Sequence, residues 1–168
     1  MKKLNKDNKG FSLVELLVVI AIMVVLVGVI APTLLNNIEK SREAKDIQFL
    51  DSVASAVQST IAADEKAYEE IAELKAAVPL SDLYNESKFP NTKKVIATYL
   101  EETAAATSSL SGTGVDKTSD VLMVNYNNGH IIVYLVDKDA KSVADTNADA
   151  KTAGALKGKR GTEYYVSR

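Results

Sequence analysis

The densest apolar stretch lies near the start of the chain, where 20 consecutive residues from Leu16 to Leu35 carry no charge and are mostly Val, Leu and Ile. As a helix rising about 1.5 Å per residue, this run spans roughly 30 Å, the thickness of a bilayer core. Beyond it the pattern changes. Ile47, Leu50, Val53, Ala54, Val57 and Ile61 recur at three- and four-residue spacing, while Glu39, Lys40, Arg42, Glu43 and Lys45 are polar. This predicts that the helix continues past the membrane with one stripe facing a core. Asp64 to Ala77 has a helical pattern of its own through Tyr68, Ile71, Leu74 and Val78, stopped by Pro79. Ser81 is placed to cap a short turn before Tyr84, and Pro90 to Glu102 carries a weak helical period through Val95, Ile96, Tyr99 and Leu100. Ala104 to Gly114 is Ala, Thr, Ser and Gly, a loop composition.

Strand signals come late. Val121 to Asn127 and His130 to Asp137 are rich in Val, Ile, Leu and Tyr, and they flank Asn128-Gly129, the strongest two-residue hairpin signal. Asp137 to Gly161 is long and polar, and Thr162 to Val166, with Tyr164 and Tyr165, is a candidate third strand. The fold class is therefore α+β: a long N-terminal helix, then a head over residues 38–168 that contains a small antiparallel sheet.

Charge adds an orientation. Met1 to Gly10 carries Lys2, Lys3, Lys6 and Lys9 against the single acid Asp7, so the positive-inside rule leaves the N-terminus in the cytoplasm and sends the rest outward. A cleaved secretory signal shares this plan. However, the apolar stretch exceeds a usual h-region, the nearest small-x-small site, Val29-Ile30-Ala31, runs straight into Pro32, and Glu15 sits where the apolar helix begins. A carboxylate in a membrane segment is costly and marks function by default. The chain of 168 residues is long enough for one domain with a core, and it contains no cysteine and one histidine. Disulfides, thiolate metal sites and cysteine nucleophiles are thereby excluded.

Lys9-Gly10-Phe11-Ser12-Leu13-Val14-Glu15-Leu16-Leu17-Val18-Val19-Ile20 resembles the class III signal of type IV pilins and pseudopilins. The resemblance covers Lys2 to Ile38 in detail and the remainder in general plan. It implies a leader over residues 1–10, cut between Gly10 and Phe11, methylation of the Phe11 amine, and an assembly role for Glu15. The physics agrees: the new α-amino group has a reference pKa near 8 and stays basic when methylated, and Glu15 lies one helical turn away. Pairing the two relieves a desolvation cost that either charge would bear alone in an apolar setting. The competing reading is a polar residue at a helix N-terminus, favoured by the dipole. Pro32 lacks the N–H that would bond the carbonyl of Gly28, so two helix weaknesses coincide. In the family, the helix just before this proline is often unwound in assembled pili. Here Val24 stands where many relatives have glycine, and a simple kink is an equal reading. The absence of cysteine points to a disulfide-free, Gram-positive-like variety, with nothing in the sequence to show what replaces the usual C-terminal staple.

Other chemistry is thin. Asp145, Asn147 and Asp149 begin like a calcium loop, but Ala150 and Leu156 occupy the positions that need glycine and glutamate, so no metal is assigned. Gly154 and Gly158-Lys159-Arg160 miss the phosphate-loop pattern by one spacer and its final hydroxyl, and Gly112-Thr113-Gly114 lacks a third glycine. His130, opening a strand, reads as structural or solvated. Lys157, Lys159 and Arg160 are a weak nucleic-acid footprint, because removing four lysines and one aspartate with the leader leaves 16 bases against 21 acids, a net −5. The expectation is a structural polymer subunit, not an enzyme and without a cofactor: the major pilin of a type IV pilus serving adhesion, motility or biofilm formation. The alternative is a pseudopilin of a type II secretion or DNA-uptake machine. A third class is a plain membrane-anchored binding module that keeps its leader. Implied partners are further copies of the chain, a prepilin peptidase and N-methyltransferase, an assembly platform and the membrane. The expected location is the cell membrane before assembly and an extracellular filament afterwards.

Overall fold

Helix α1 runs unbroken over Leu13–Ala63, 51 residues with Pro32 inside it. The computed structural model describes residues 11–74, 76–101, 110–112, 115, 120–137, 155 and 163–168. The chain divides into two compact units, Met1–Ile38 and Glu39–Arg168. In the first, the large apolar side chains from Leu13 to Ile38 are exposed, and none of the most apolar window of α1 is buried inside the protein. A helix that is apolar around its circumference and uncovered by the other described residues needs an apolar environment from elsewhere.

The second unit is the head. Its part of α1 is followed by α2 (Glu65–Ala72), strand β1 (Val78–Pro79), a 3₁₀ turn (Leu80–Tyr84), α3 (Pro90–Tyr99), β2 (Asp120–Asn127), β3 (His130–Asp137) and β4 (Tyr165–Ser167). The strands form one antiparallel sheet in the order β1-β2-β3-β4. Asn127 pairs with His130 across a two-residue turn, where Asn128 at φ 51° and Gly129 at φ 86° supply the positive dihedrals that a type I′ hairpin demands. The predicted stripe of α1 delivers Leu50, Val53, Ala54 and Val57 to the core, with Leu122, Val124, Ile131, Val133 and Leu135 from the sheet. Ile132, Tyr134 and Val136 point to the other face of β3 and are covered with Val121, Met123, Ala155 and Tyr165. Burial on both faces explains why β3 reads as a continuous apolar run rather than an alternating one.

Several expectations shift. The sheet has four strands among the described residues, not three: Val78 and Pro79 pair with Val124 and Met123 instead of ending a helix. Helix α2 is shorter than Asp64 to Ala77, with Asp64 as its cap accepting the Ala67 N–H at 2.9 Å. Ser81 lies within the 3₁₀ turn, whose cap is Pro79 with no side-chain bond. The ambiguous Pro90 stretch is helical as far as Tyr99. The last strand begins at Tyr165, and Tyr164 before it is buried in the core. Most of the expected loop from Ala104 to Gly114 lies outside the described residues.

The last strand is held without a disulfide. Arg168 and Ile131 exchange backbone hydrogen bonds at 2.9 and 2.7 Å, and the Arg168 guanidinium donates to both oxygens of Asp51 on α1, at 2.7 and 2.6 Å. The ion pair is solvent-exposed and contributes little by itself. The strand pairing and the buried Tyr164 ring carry most of the attachment.

Candidate processing and assembly site

The N-terminal site is built from the first turn of α1. Phe11 is 92% exposed and precedes the helix with Ser12. The Ser12 N–H donates to Glu15 Oε2 at 2.9 Å, and the Ser12 carbonyl accepts the Leu16 N–H at 3.2 Å. Ser12-Leu13-Val14-Glu15 thus has the spacing of a capping box, in which the third residue after the cap reaches back to the cap's amide. That spacing is visible in the sequence and assigns Glu15 a bond within its own helix. It also holds the carboxylate at the Ser12 amide, one residue after Phe11. Gly10 lies outside the described residues.

Gly28 and Pro32 sit in the uncovered part of α1, where a Cβ on Gly28 would meet nothing within 4 Å. The glycine therefore answers no packing need among the described residues. The backbone stays helical through both residues, while the Gly28 carbonyl lacks the bond that a proline nitrogen cannot donate.

A second polar cluster escaped sequence reasoning. Glu39, Glu43 and Asp46 follow one another at helical spacing on α1 and continue the apolar stripe, and all three are buried, Glu43 and Asp46 to 2% exposure. Charged residues in a helical stripe read as a solvated face, so pattern alone misplaces them. Asp46 accepts the Ser111 N–H at 2.8 Å and the Gly112 N–H at 2.7 Å, pinning that backbone to α1. The Tyr164 hydroxyl is buried here without a hydrogen-bond partner among the described residues. Burial and then the nearby carboxylates of Asp46, Glu43 and Glu39 push it well above the ordinary phenol range.

The calcium-like residues Asp145, Asn147 and Asp149, and the basic residues Lys157, Lys159 and Arg160, lie outside the described residues. Among those described, no group of three or more His, Asp or Glu is arranged to hold a metal ion. His130 is exposed at the hairpin.

No curated protein and no solved structure matches the chain. The family model described as the prokaryotic N-terminal methylation motif matches residues 5–31. That match spans the Gly10-Phe11 junction, Glu15 and most of the apolar run, and the motif is typical of the structural subunits called type IV pilins and pseudopilins, whose leaders a prepilin peptidase removes. Behind that N-terminal motif the fold is α+β, a long N-terminal helix whose outer half packs with a four-stranded antiparallel sheet.

Proposed function

We propose that this chain is the major structural subunit of a type IV pilus. It is made as a membrane-anchored precursor, cut between Gly10 and Phe11, methylated on the Phe11 amine and drawn from the membrane into a surface fibre. The observation that carries this reading is the uncovered helix from Leu13 to Ile38 behind a methylation motif. Such a helix serves two environments in turn: lipid chains surround it in the membrane, and the same side chains pack against neighbouring helices in a filament core. The weak point at Gly28 and Pro32 gives that helix a place to stretch during the transfer. Glu15 supplies the negative group that meets a Phe11 ammonium in the apolar interior.

The experiment is mass spectrometry of the native N-terminal peptide combined with electron microscopy of the cell surface. A methylated Phe11 terminus and shed filaments containing this chain are expected. A Met1 terminus overturns the processing, leaving a plain anchor. A Phe11 terminus with no filaments made of this chain replaces the major pilin by a pseudopilin.

A further inference from the structure

Between Glu39 and Asp46 the chain carries three acids and three bases, so the segment is neutral by count. The fold sorts these charges by face. Glu39, Glu43 and Asp46 are buried in the head, while Lys40, Arg42 and Lys45 are all exposed. Arg42 reaches Glu39 only at 3.9 Å, with half its side chain in solvent. The outward face of this stretch of α1 is therefore cationic, although its composition is not.

Its position along the chain gives that face a neighbour. Counted along the helix at about 1.5 Å per residue from Leu35, Lys40 follows the apolar run by about 7.5 Å, Arg42 by about 10.5 Å and Lys45 by about 15 Å. The headgroup layer on each side of a bilayer is roughly 5–8 Å deep. Lysine and arginine stems extend several ångströms, and charges act over about a Debye length of 8–10 Å in physiological salt. Bases on the translocated flank also run against the bias that orients a membrane helix. Their placement beside the bilayer is accounted for when they have an anionic partner there.

We propose that Lys40, Arg42 and Lys45 form a cationic collar that binds the anionic phospholipid headgroups of the outer leaflet and sets the height of the head above the membrane. This rests on the membrane-anchored stage of the function proposed above. The collar would retain the subunit until a fibre withdraws it, and its strength would depend on salt and on the anionic lipid content. The acidic surface of a second copy is the competing partner.

The chain has no cysteine, so single labels can be introduced without removing any. Full-length chain carrying a nitroxide at Ser41→Cys is reconstituted in phosphatidylcholine vesicles with and without phosphatidylglycerol. Collision with a water-soluble nickel chelate is the readout. Access to the label falls roughly threefold or more when phosphatidylglycerol is present, and recovers at high salt or in the triple variant K40Q/R42Q/K45Q. Equal access in both lipids overturns the collar, as does protection that survives the triple variant. Protection that follows protein density rather than phosphatidylglycerol reassigns the face to a second copy and overturns the lipid partner. A second label at Val24→Cys reports oxygen collision from the hydrocarbon. If that label is in water, the anchored state itself fails, and the proposal with it.

Discussion

Glu15 has one observed use for its carboxylate and one proposed use. In the folded chain its Oε2 accepts the Ser12 N–H, which caps α1; in the proposed fibre it neutralises a Phe11 ammonium. Substitution separates the two. Glu15→Gln keeps an acceptor for the cap but no charge, whereas Glu15→Ala removes both. We expect both variants to be cleaved, since the leader and Gly10 are untouched, and both to be depleted from filaments when expressed beside wild-type subunits. If Glu15→Gln enters filaments as readily as wild type, the cap is sufficient and the charge pairing is overturned. A second residue-scale prediction concerns Tyr164 and Gly112. A Cβ at Gly112 would overlap the Tyr164 hydroxyl and sit 2.8 Å from Asp46 Oδ2, so Gly112→Ala is expected to cost about 1–3 kcal/mol through overpacking. Tyr164→Phe removes a buried hydroxyl that lacks a partner among the described residues, and should leave stability unchanged or raise it by up to about 1 kcal/mol. Urea midpoints of the two variants against wild type check the pair. A Tyr164→Phe protein clearly weaker than wild type would mean that the hydroxyl is bonded in the folded state.

At the scale of elements, α3 depends on a residue of α2. Glu70 Oε1 accepts the backbone N–H and side-chain amide of Asn91 at 3.0 and 2.6 Å, and Oε2 accepts the N–H and hydroxyl of Thr92, both at 2.8 Å. Amides that open every helix without an intrahelical partner are thereby satisfied from a neighbouring helix. Partial burial pushes the Glu70 carboxyl up, but the bonds from Thr92 and Asn91 together outweigh it and hold it below its ordinary 4.5. A carboxyl lowered in the folded state adds stability above the unfolded value, and that contribution is lost as pH falls through the folded one. Wild type should therefore weaken from about pH 5 downward. Glu70→Gln, whose amide accepts on one side only, should be about 1–3 kcal/mol weaker at pH 7 and less sensitive to acid. Denaturant titrations at several pH values test this, and parallel pH profiles for the two proteins would refute it. The same elements show what was legible in the sequence. The β2–β3 hairpin is readable because Asn128-Gly129 and two apolar runs are local signals, and the apolar helix because length and composition suffice. Strand β1 is two residues long and carries no periodicity, so Pro79 reads as a stop. The burial of Glu39, Glu43 and Asp46, and the clamp from Glu70 to Asn91 and Thr92, are tertiary pairings to which no local pattern corresponds. Gly10, Phe11 and Glu15 stand out in the sequence as candidates by residue type and spacing, and the Ser12 cap needed only the spacing that carries it.

For the whole molecule, the decisive division lies at Ile38. The buried apolar residues begin at Leu50 on α1 and continue through the sheet, and the buried polar residues begin at Glu39. Among the described residues, none before Glu39 is buried, and those before Glu39 carry most of the exposed large apolar side chains. Two physical consequences follow for a protein lacking Met1 to Asn37. The uncovered surface that demands lipid or neighbouring copies is gone, and the core that opposes chain entropy is retained in full. We expect this truncated chain to be soluble and monomeric by size-exclusion chromatography, with fixed near-ultraviolet ellipticity and a single cooperative unfolding transition. The Arg168–Ile131 backbone pairing should protect those amides from exchange to nearly the same degree as the centre of β3, since they close the same sheet edge. An aggregated product would mean that the head exposes apolar surface which the helix normally covers. A soluble product with far-ultraviolet but no near-ultraviolet signal would mean that Glu39–Arg168 reaches its secondary structure without a packed core, and that residues before Glu39 complete it. Either result would overturn the separation of anchor from head on which the proposed transfer from membrane to fibre depends.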